Sequence, residues 1–354
     1  MKYMNPEIFS TLSIILLCCI ALLAVDTFIC FVLKITCGIA FKRAFLWGCL
    51  SLLLPPLTIT YGSLIERNLF KVKKVEITLE SLPEGFDGFR IIQISDIHAR
   101  SFEGREKHLQ KAVRKINSLD ADIVAFTGDL ITMAPDELDG LSEILSGIKS
   151  SDGVFSILGN HDYSMYSDMG EEGKVMALER LIGKEKAMGW NLLMNSNAII
   201  CRGRDSLAII GVENTSPSRH FPSKGKLTEA AAGTDGMFRI LLSHDPLHWE
   251  SEVVDQDFPL TLSGHTHSMQ FSILGWSPSR YMFPQYRGLY STKSGSKSHI
   301  GTDRTETADS TSILEGAPQY LYVNAGLGET IFPARIGVRP EITLITLKCP
   351  ATHQ

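Results

Sequence analysis

The sequence predicts an α/β domain carried on two apolar membrane helices. Three observations predict it. Apolar residues are concentrated in two N-terminal runs, Ile8–Leu33 and Ala44–Tyr61. After residue 70, short apolar runs ending in Gly, Ser or Asp alternate with amphipathic stretches, the pattern of buried strands between surface helices. Five of those runs end directly in clusters of Asp, His and Asn.

The first apolar run is longer than the roughly 20 residues that cross a hydrocarbon core. A second run follows it, which favours two spans over the alternatives of a cleaved signal peptide or an interfacial anchor. The reading is an anchor over residues 1–70, with spans at about 8–33 and 44–61 joined by a short loop bearing Lys34, Lys42 and Arg43. Asp26 lies inside the first span, where facing the partner helix would lower its cost. Pro55 and Pro56 are expected to kink or end the second helix. With two spans, both termini share one side of the membrane. Lys2, Arg67, Lys71, Lys73 and Lys74 on that side outnumber the loop's cations, so the positive-inside rule leans toward a cytoplasmic domain.

Residues 71–354 then form one α/β domain. KVKKVEITL alternates like an edge strand. FRIIQIS, DIVAFTG, GVFSILG, LAIIGV, RILLS and LTLSG read as buried strands, and EITLITL as the last one. Leu109, Ala112, Val113, Ile116 and Leu119 recur at helical spacing, as do Leu138, Leu141, Ile144, Leu145 and Ile148. Residues 291–317 are rich in Ser, Thr, Gly and charge and read as a flexible insertion.

A net charge of −5 argues against a general nucleic-acid binder, which carries a basic face. Five of the seven cysteines sit in the N-terminal apolar region, and no CxxC occurs, so neither a zinc knuckle nor a redox motif is indicated. Cys201 and Cys349 could pair, though nothing requires it.

The chemistry sits in Asp96-Ile97-His98, Gly128-Asp129, Gly159-Asn160-His161-Asp162, Ser243-His244-Asp245 and Gly264-His265-Thr266-His267. Each cluster lies just past an apolar strand, where α/β sheets build their sites. Five strand ends of one sheet would converge on one pocket. Carboxylates, imidazoles and an amide oxygen suit hard and borderline divalent cations. Two such cations about 4 Å apart clamp an in-line displacement at phosphorus. In Asp96-Ile97-His98 and in His265-Thr266-His267 the paired side chains would share one face of an extended chain. A lone DxH arises by chance; the five clusters in this order are a strong signal together.

These motifs resemble the calcineurin-like metallophosphoesterase superfamily, over roughly Lys71–Leu347. LPEGFDGFRIIQISDIH, ILGNHDY and YLYVNAGLGETIFPARIGVRPEITLITL look like its membrane-associated bacterial branch, the YkuE/YaeI-like proteins. The resemblance implies two packed β-sheets flanked by helices. It implies that Asp96, His98 and His267 hold one metal and that Asn160, His244 and His265 hold the other, with Asp129 bridging. The metals would be Mn, Fe or Zn. It also implies that His161 is the non-ligand catalytic histidine. GDLITM lacks the acidic residue and arginine that follow the GD of the protein phosphatase branch, which disfavours that branch. The expected substrate is a phosphorylated small molecule or lipid, such as UDP-2,3-diacylglucosamine, cleaved at a phosphate ester or pyrophosphate bond. The competing reading is a catalytically silent metal-binding membrane module with a scaffolding role, against which the complete ligand set and His161 argue. Arg100 could contact substrate phosphate or be a plain surface arginine. Tyr281, Phe283, Tyr286 and Tyr290 could line a substrate entrance or pack in the core.

Overall fold

The computed structural model describes residues 6–254, 256–292, 298–300 and 318–350. The first apolar run is one helix, α1 (Pro6–Cys37), of 32 residues, about 48 Å at 1.5 Å per residue. The second run is α2 (Phe41–Gly48), a 3-10 segment Cys49–Leu53, and α3 (Leu54–Leu64). Both helical runs therefore extend beyond the spans expected at 8–33 and 44–61. Pro55 and Pro56 do not end the second helix. They stand in the first turn of α3, where a missing N–H removes no helical bond. Asp26 faces the second span, accepting a hydrogen bond from the Ser51 hydroxyl. Gly48 makes room for it, since a Cβ there would stand 3.3 Å from the Asp26 Cβ.

Three contacts, from Ser10, Gly62 and Glu66, tie the apolar helices to the domain. Gly62 lies so close to the chain at Ala334–Ile336 that a Cβ would stand 2.8 Å from the Arg335 carbonyl oxygen. The Ser10 hydroxyl donates to the Ile331 carbonyl at 3.0 Å, and the Gly337 N–H to the buried Glu66 carboxylate at 3.0 Å.

Two sheets follow. The first is built from β1 (Lys71–Thr78), β2 (Arg90–Ile94), β3 (Ile123–Phe126), β4 (Val154–Ser156), β5 (Asn191–Leu192) and β13 (Glu341–Lys348), in the order β1-β13-β2-β3-β4-β5. β1 is an edge strand, as its alternation predicts, and Lys73 on it is buried 3.5 Å from Glu341. The second sheet holds β6 (Ser196–Arg202), β7 (Asp205–Gly211), β8 (Phe238–Leu242), β9 (Leu260–Ser263), β10 (Gly288–Ser291), β11 (Ser298–Ile300) and β12 (Tyr320–Val323), in the order β11-β10-β12-β9-β8-β7-β6. β2, β3, β4 and β5 run parallel, as do β7, β8, β9 and β12.

Strand alternation explains the layers. Ile123 and Ala125 of β3 face inward with Ile240 and Leu242 of β8, forming the core between the sheets. Val124 and Phe126 face outward with α4 (Glu106–Asn117), whose Leu109, Ala112, Val113 and Ile116 form its buried stripe. The second helical spacing gives a short 3-10 turn at Pro135–Leu138 and α5 (Ser142–Leu145) rather than one long helix. Helix α6 (Glu171–Ala187) covers the same face through Leu181. Of the segment expected to be a flexible insertion, Ser291 closes β10 and Ser298–Ile300 pairs with it as β11; residues 293–297 and 301–317 lie outside the described residues.

Candidate metal centre

The five clusters do meet, but not at one sheet. Asp96, Asp129 and Asn160 follow β2, β3 and β4 of the first sheet. His244 and His265 follow β8 and β9 of the second. The pocket therefore spans the carboxyl ends of both sheets. Nor are the paired ligands on extended chain. Asp96, His98, Asp129, His265 and His267 have φ of 49°, 43°, 59°, 71° and 47°, a left-handed region that non-glycine residues rarely adopt. Tight turns, not strand alternation, aim these side chains inward. Such strain is held only where surrounding contacts dictate it. One of those contacts is the close approach of two loops: a Cβ on Gly128 would lie 2.6 Å from the Gly159 nitrogen.

Two separate clusters result, and a third group, His98, Asp129 and His161, overlaps both of them. Asp96, His98 and His267 present ligand atoms within 4.8 Å of one another, and so do Asp129, His244 and His265. In the first, His98 Nε2 lies 3.0 Å from His267 Nε2, and His267 Nε2 lies 3.2 Å from Asp96 Oδ1. In the second, His244 Nε2 lies 3.1 Å from Asp129 Oδ2 and 3.2 Å from His265 Nδ1. Asp129 Oδ2 also lies 3.7 Å from His98 Nε2, so this carboxylate of the second cluster faces the first as well. Asn160 Oδ1 is buried and has no hydrogen-bond partner among the described residues.

These groups fit a pair of divalent cations. Ring nitrogens converging on one another want a shared acceptor of their lone pairs, and a buried amide oxygen left unpaired is costly unless something binds it. The protonation states point the same way. Burial raises the carboxyls of Asp96 and Asp129, but surrounding histidines, His267 for Asp96 and His244 for Asp129, outweigh it and hold both below the usual range. Burial pushes the His98 and His265 imidazoles down, which keeps them neutral. Burial also opposes charge on His244, yet adjacent Asp129 pushes it up to about 10. Metal binding there exchanges with that proton. His244 Nδ1 lies 2.7 Å from the Thr127 carbonyl, an arrangement that orients the ring and directs Nε2 inward.

His161 is half-buried beside both clusters. Its backbone N–H donates to Asp129 Oδ1 at 2.9 Å and its Nδ1 to the Thr132 carbonyl at 2.8 Å, which leaves Nε2 for the site. Its ring packs edge-on to His98 at 4.7 Å and against Tyr166 at 4.3 Å.

Sequence reasoning gave Asp162 no role. The structure gives it a large one. Its carboxylate accepts four backbone N–H bonds, from Asp129 and Gly159 at 2.8 Å on Oδ2, and from Leu130 at 2.8 Å and Ile131 at 3.1 Å on Oδ1. It pins the Asp129 loop to the Asn160 loop. Burial and then the Asp129 charge push its carboxyl up to about 7, and the N–H donors oppose them. The last letter of GNHD was the available signal, but only the fold shows which backbone it holds.

Among the other histidines, His248 bridges Ser243 Oγ at 2.8 Å and Glu252 Oε2 at 3.0 Å, away from the clusters. Phe283 packs edge-on to His265 at 5.4 Å and so lines the site, whereas Tyr290 is buried and Tyr281 is exposed. Arg100 lines a polar cleft with Arg67, Arg105 and Glu329 that reaches Thr132. Cys201 and Cys349 are both free.

Residues 89–269 match the family of calcineurin-like phosphoesterases. The chain belongs to that family, whose members are metal-dependent hydrolases of phosphoric esters. Among curated relatives, it is 32% identical to a zebrafish transmembrane protein with a metallophosphoesterase domain, over 84% of this chain and 62% of that one. It is 28% identical to the uncharacterized metallophosphoesterase YkuE of Bacillus subtilis, over 81% of this chain and 89% of that one. It is 27% identical to the UDP-2,3-diacylglucosamine pyrophosphatase LpxG of Chlamydia trachomatis, over 77% of this chain and 88% of that one. Two helical runs, Ile8–Cys37 and Phe41–Asn68, are long and apolar enough to cross a membrane, and the zebrafish relative is named a transmembrane protein.

Proposed function

We propose that the chain is a two-metal hydrolase of a phosphate ester or pyrophosphate bond in a lipid-linked substrate, held at the membrane by two spans with its catalytic domain on the cytoplasmic side. The observation that carries the reading is one carboxylate, Asp129, which clusters with His244 and His265 while its Oδ2 also lies 3.7 Å from His98 of the other cluster. Asp96, His98 and His267 would hold one cation, and Asn160, His244 and His265 the other, with Asp129 shared. Bound there, two divalent cations supply Lewis acidity and make a water nucleophile available near neutral pH. The chain's own residues do the rest. Asp162 fixes the two loops that present Asp129 and Asn160. His161, with Nδ1 committed to Thr132, offers Nε2 to hand a proton to the departing oxygen.

The anchor favours a lipidic substrate, because it confines the site to the surface where such molecules reside. A UDP-2,3-diacylglucosamine-like pyrophosphate, the substrate in the name of LpxG, is the leading example. The cytoplasmic assignment rests on the loop charges, with Lys73 set aside because it is buried against Glu341. The test is turnover by the purified full-length protein, loaded in turn with Mn, Fe or Zn, on lipid-linked pyrophosphates and on soluble diesters. Faster turnover of lipid-linked substrates is expected. Turnover of soluble diesters alone would refute the lipid assignment, and no turnover with any metal would refute the hydrolase.

A further inference from the structure

The metal site does not open only to water. A cavity of about 1010 Å³ joins it to the membrane helices. One end is lined by Asp129, Asn160, His161 and His267. The other is lined by Ile14, Cys18 and Leu22 of α1 and by Leu54, Pro55 and Ile59 of α3. Their spacing along α1 puts Ile14, Cys18 and Leu22 on one helix face. From Ile14 to Leu22 that face extends about 12 Å at 1.5 Å per residue, close to the depth of one leaflet of a hydrocarbon core about 30 Å thick.

A second feature points to the bilayer independently. Met269, Phe271 and Ile273 form a further wall, and the loop continues to an exposed apolar tip. Leu274 is fully exposed, with Ile273, Trp276 and Met282 also largely uncovered. Ile331 is exposed too, although its carbonyl is hydrogen-bonded to Ser10 at the start of the anchor. Apolar side chains clustered beside two membrane spans have a covering within reach, namely the lipid itself.

We infer that the groove between α1 and α3 takes an acyl chain of the substrate, which enters sideways from one leaflet while its phosphate reaches the metal ligands. The inference rests on the phosphoesterase reading and adds to it a binding subsite and an entry route. Extracting an amphiphile fully into water costs free energy for every methylene exposed. A groove walled by apolar helix faces spares that cost, because the chain passes from lipid to another apolar surface. Apart from Thr58 on α3, the groove's helix end is lined by apolar residues and Cys18, whereas Asp129, Asn160, His161 and His267 lie at its catalytic end, where a phosphate needs them.

The test uses the full chain in phosphatidylcholine nanodiscs with manganese. Two aryl phosphodiesters serve as probes, p-nitrophenyl hexadecyl phosphate and p-nitrophenyl methyl phosphate. The groove predicts that Ala21→Phe, which narrows it, lowers the long-to-short ratio of kcat/KM at least tenfold. Leu16→Phe, on an exposed face of the same helix, should leave that ratio as it was. A readout independent of turnover is alkylation of Cys18 by N-ethylmaleimide after the other six cysteines are changed to Ser. Hexadecyl phosphate, but not methyl phosphate, should slow it about fivefold or more. Equal ratios in both variants, or equal alkylation with either phosphate, would overturn the groove. Protection of Cys18 without turnover of either diester would support the groove and overturn the hydrolase reading instead.

Discussion

Asp162→Asn should loosen the site without touching a metal-ligand side chain. The carboxylate satisfies four buried N–H groups, two on each oxygen. An asparagine keeps one acceptor oxygen and turns an NH2 toward the remaining two donors. Each buried donor left unpaired costs about 1–3 kcal/mol, so the variant should lose roughly 2–6 kcal/mol. For a domain of this size that is a fall in Tm on the order of 10 °C. Because the unpaired donors belong to the Asp129 and Asn160 loops, metal affinity should drop about 10–100-fold, as it does when groups orienting a ligand are removed. Thermal melting of the full chain in detergent and metal analysis after dialysis read the two effects. Unchanged Tm together with unchanged metal content would show that Asp162 does not hold these loops.

Asp129→Ala should lose both metals and nearly all turnover, since the two clusters lose the carboxylate that faces both; two equivalents of metal with normal rates would end the shared-ligand assignment. His161→Gln should retain its metals while slowing turnover about 10²–10⁴-fold, less for aryl leaving groups than for alkyl ones, and an equal loss for both would remove the proton-donor role. Glu185 is buried, hydrogen-bonded by Ser156 and raised by burial and then Asp162 to about 8 from 4.5. Its proton stays on in the fold but leaves the unfolded chain, so its contribution is complete below pH 4.5 and disappears as pH rises to about 8. Melting of Glu185→Gln from pH 5 to 8 should therefore fall less than the wild type's, by up to about 1.4 kcal/mol per pH unit, and parallel profiles would contradict the shift. Gly62→Val places a Cβ against the Arg335 carbonyl, 2.8 Å away, and should weaken metal binding through the Arg335–His267 contact; metal titration giving wild-type affinity would show the anchor packing to be independent of the site.

The sequence carried the strands and the ligand clusters because both are local signals. Alternation across β3 separates Ile123 and Ala125 from Val124 and Phe126, and that period is readable from the chain alone. Each ligand cluster stands immediately beyond its strand. Other features depend on tertiary context. Nothing in RILLSH or LTLSGHTH says that β8 and β9 belong to a different sheet from β2, β3 and β4. The positive φ of Asp96 and His98 was hidden because DxH is equally compatible with an extended chain. Pro55 and Pro56, expected to kink or end the second helix, do not end it; they stand in the first turn of α3, directly after the 3-10 segment that interrupts the run. Asp162 went unassigned because its partners are main-chain N–H groups up to 33 positions away in sequence.

The attachment of the anchor bears directly on the chemistry. The Arg335 side chain is buried, donates to the Ala325 carbonyl at 2.9 Å and reaches His267 Nδ1 at 3.5 Å. Its backbone N–H meets the Gly62 carbonyl of α3 at 3.4 Å, while Gln270, three residues beyond His267, donates to the Phe332 and Ala334 carbonyls at 2.6 and 2.9 Å. Residues 330–337 are thus shared, gripped by the anchor on one side and supporting the His267 turn on the other. A tether placed only for localisation would need none of these contacts, because a flexible link confines a domain to a surface equally well. A rigid joint instead fixes which way the mouth of the site faces. That constraint matters for a substrate whose reacting phosphate and embedded chain must be met at the same time.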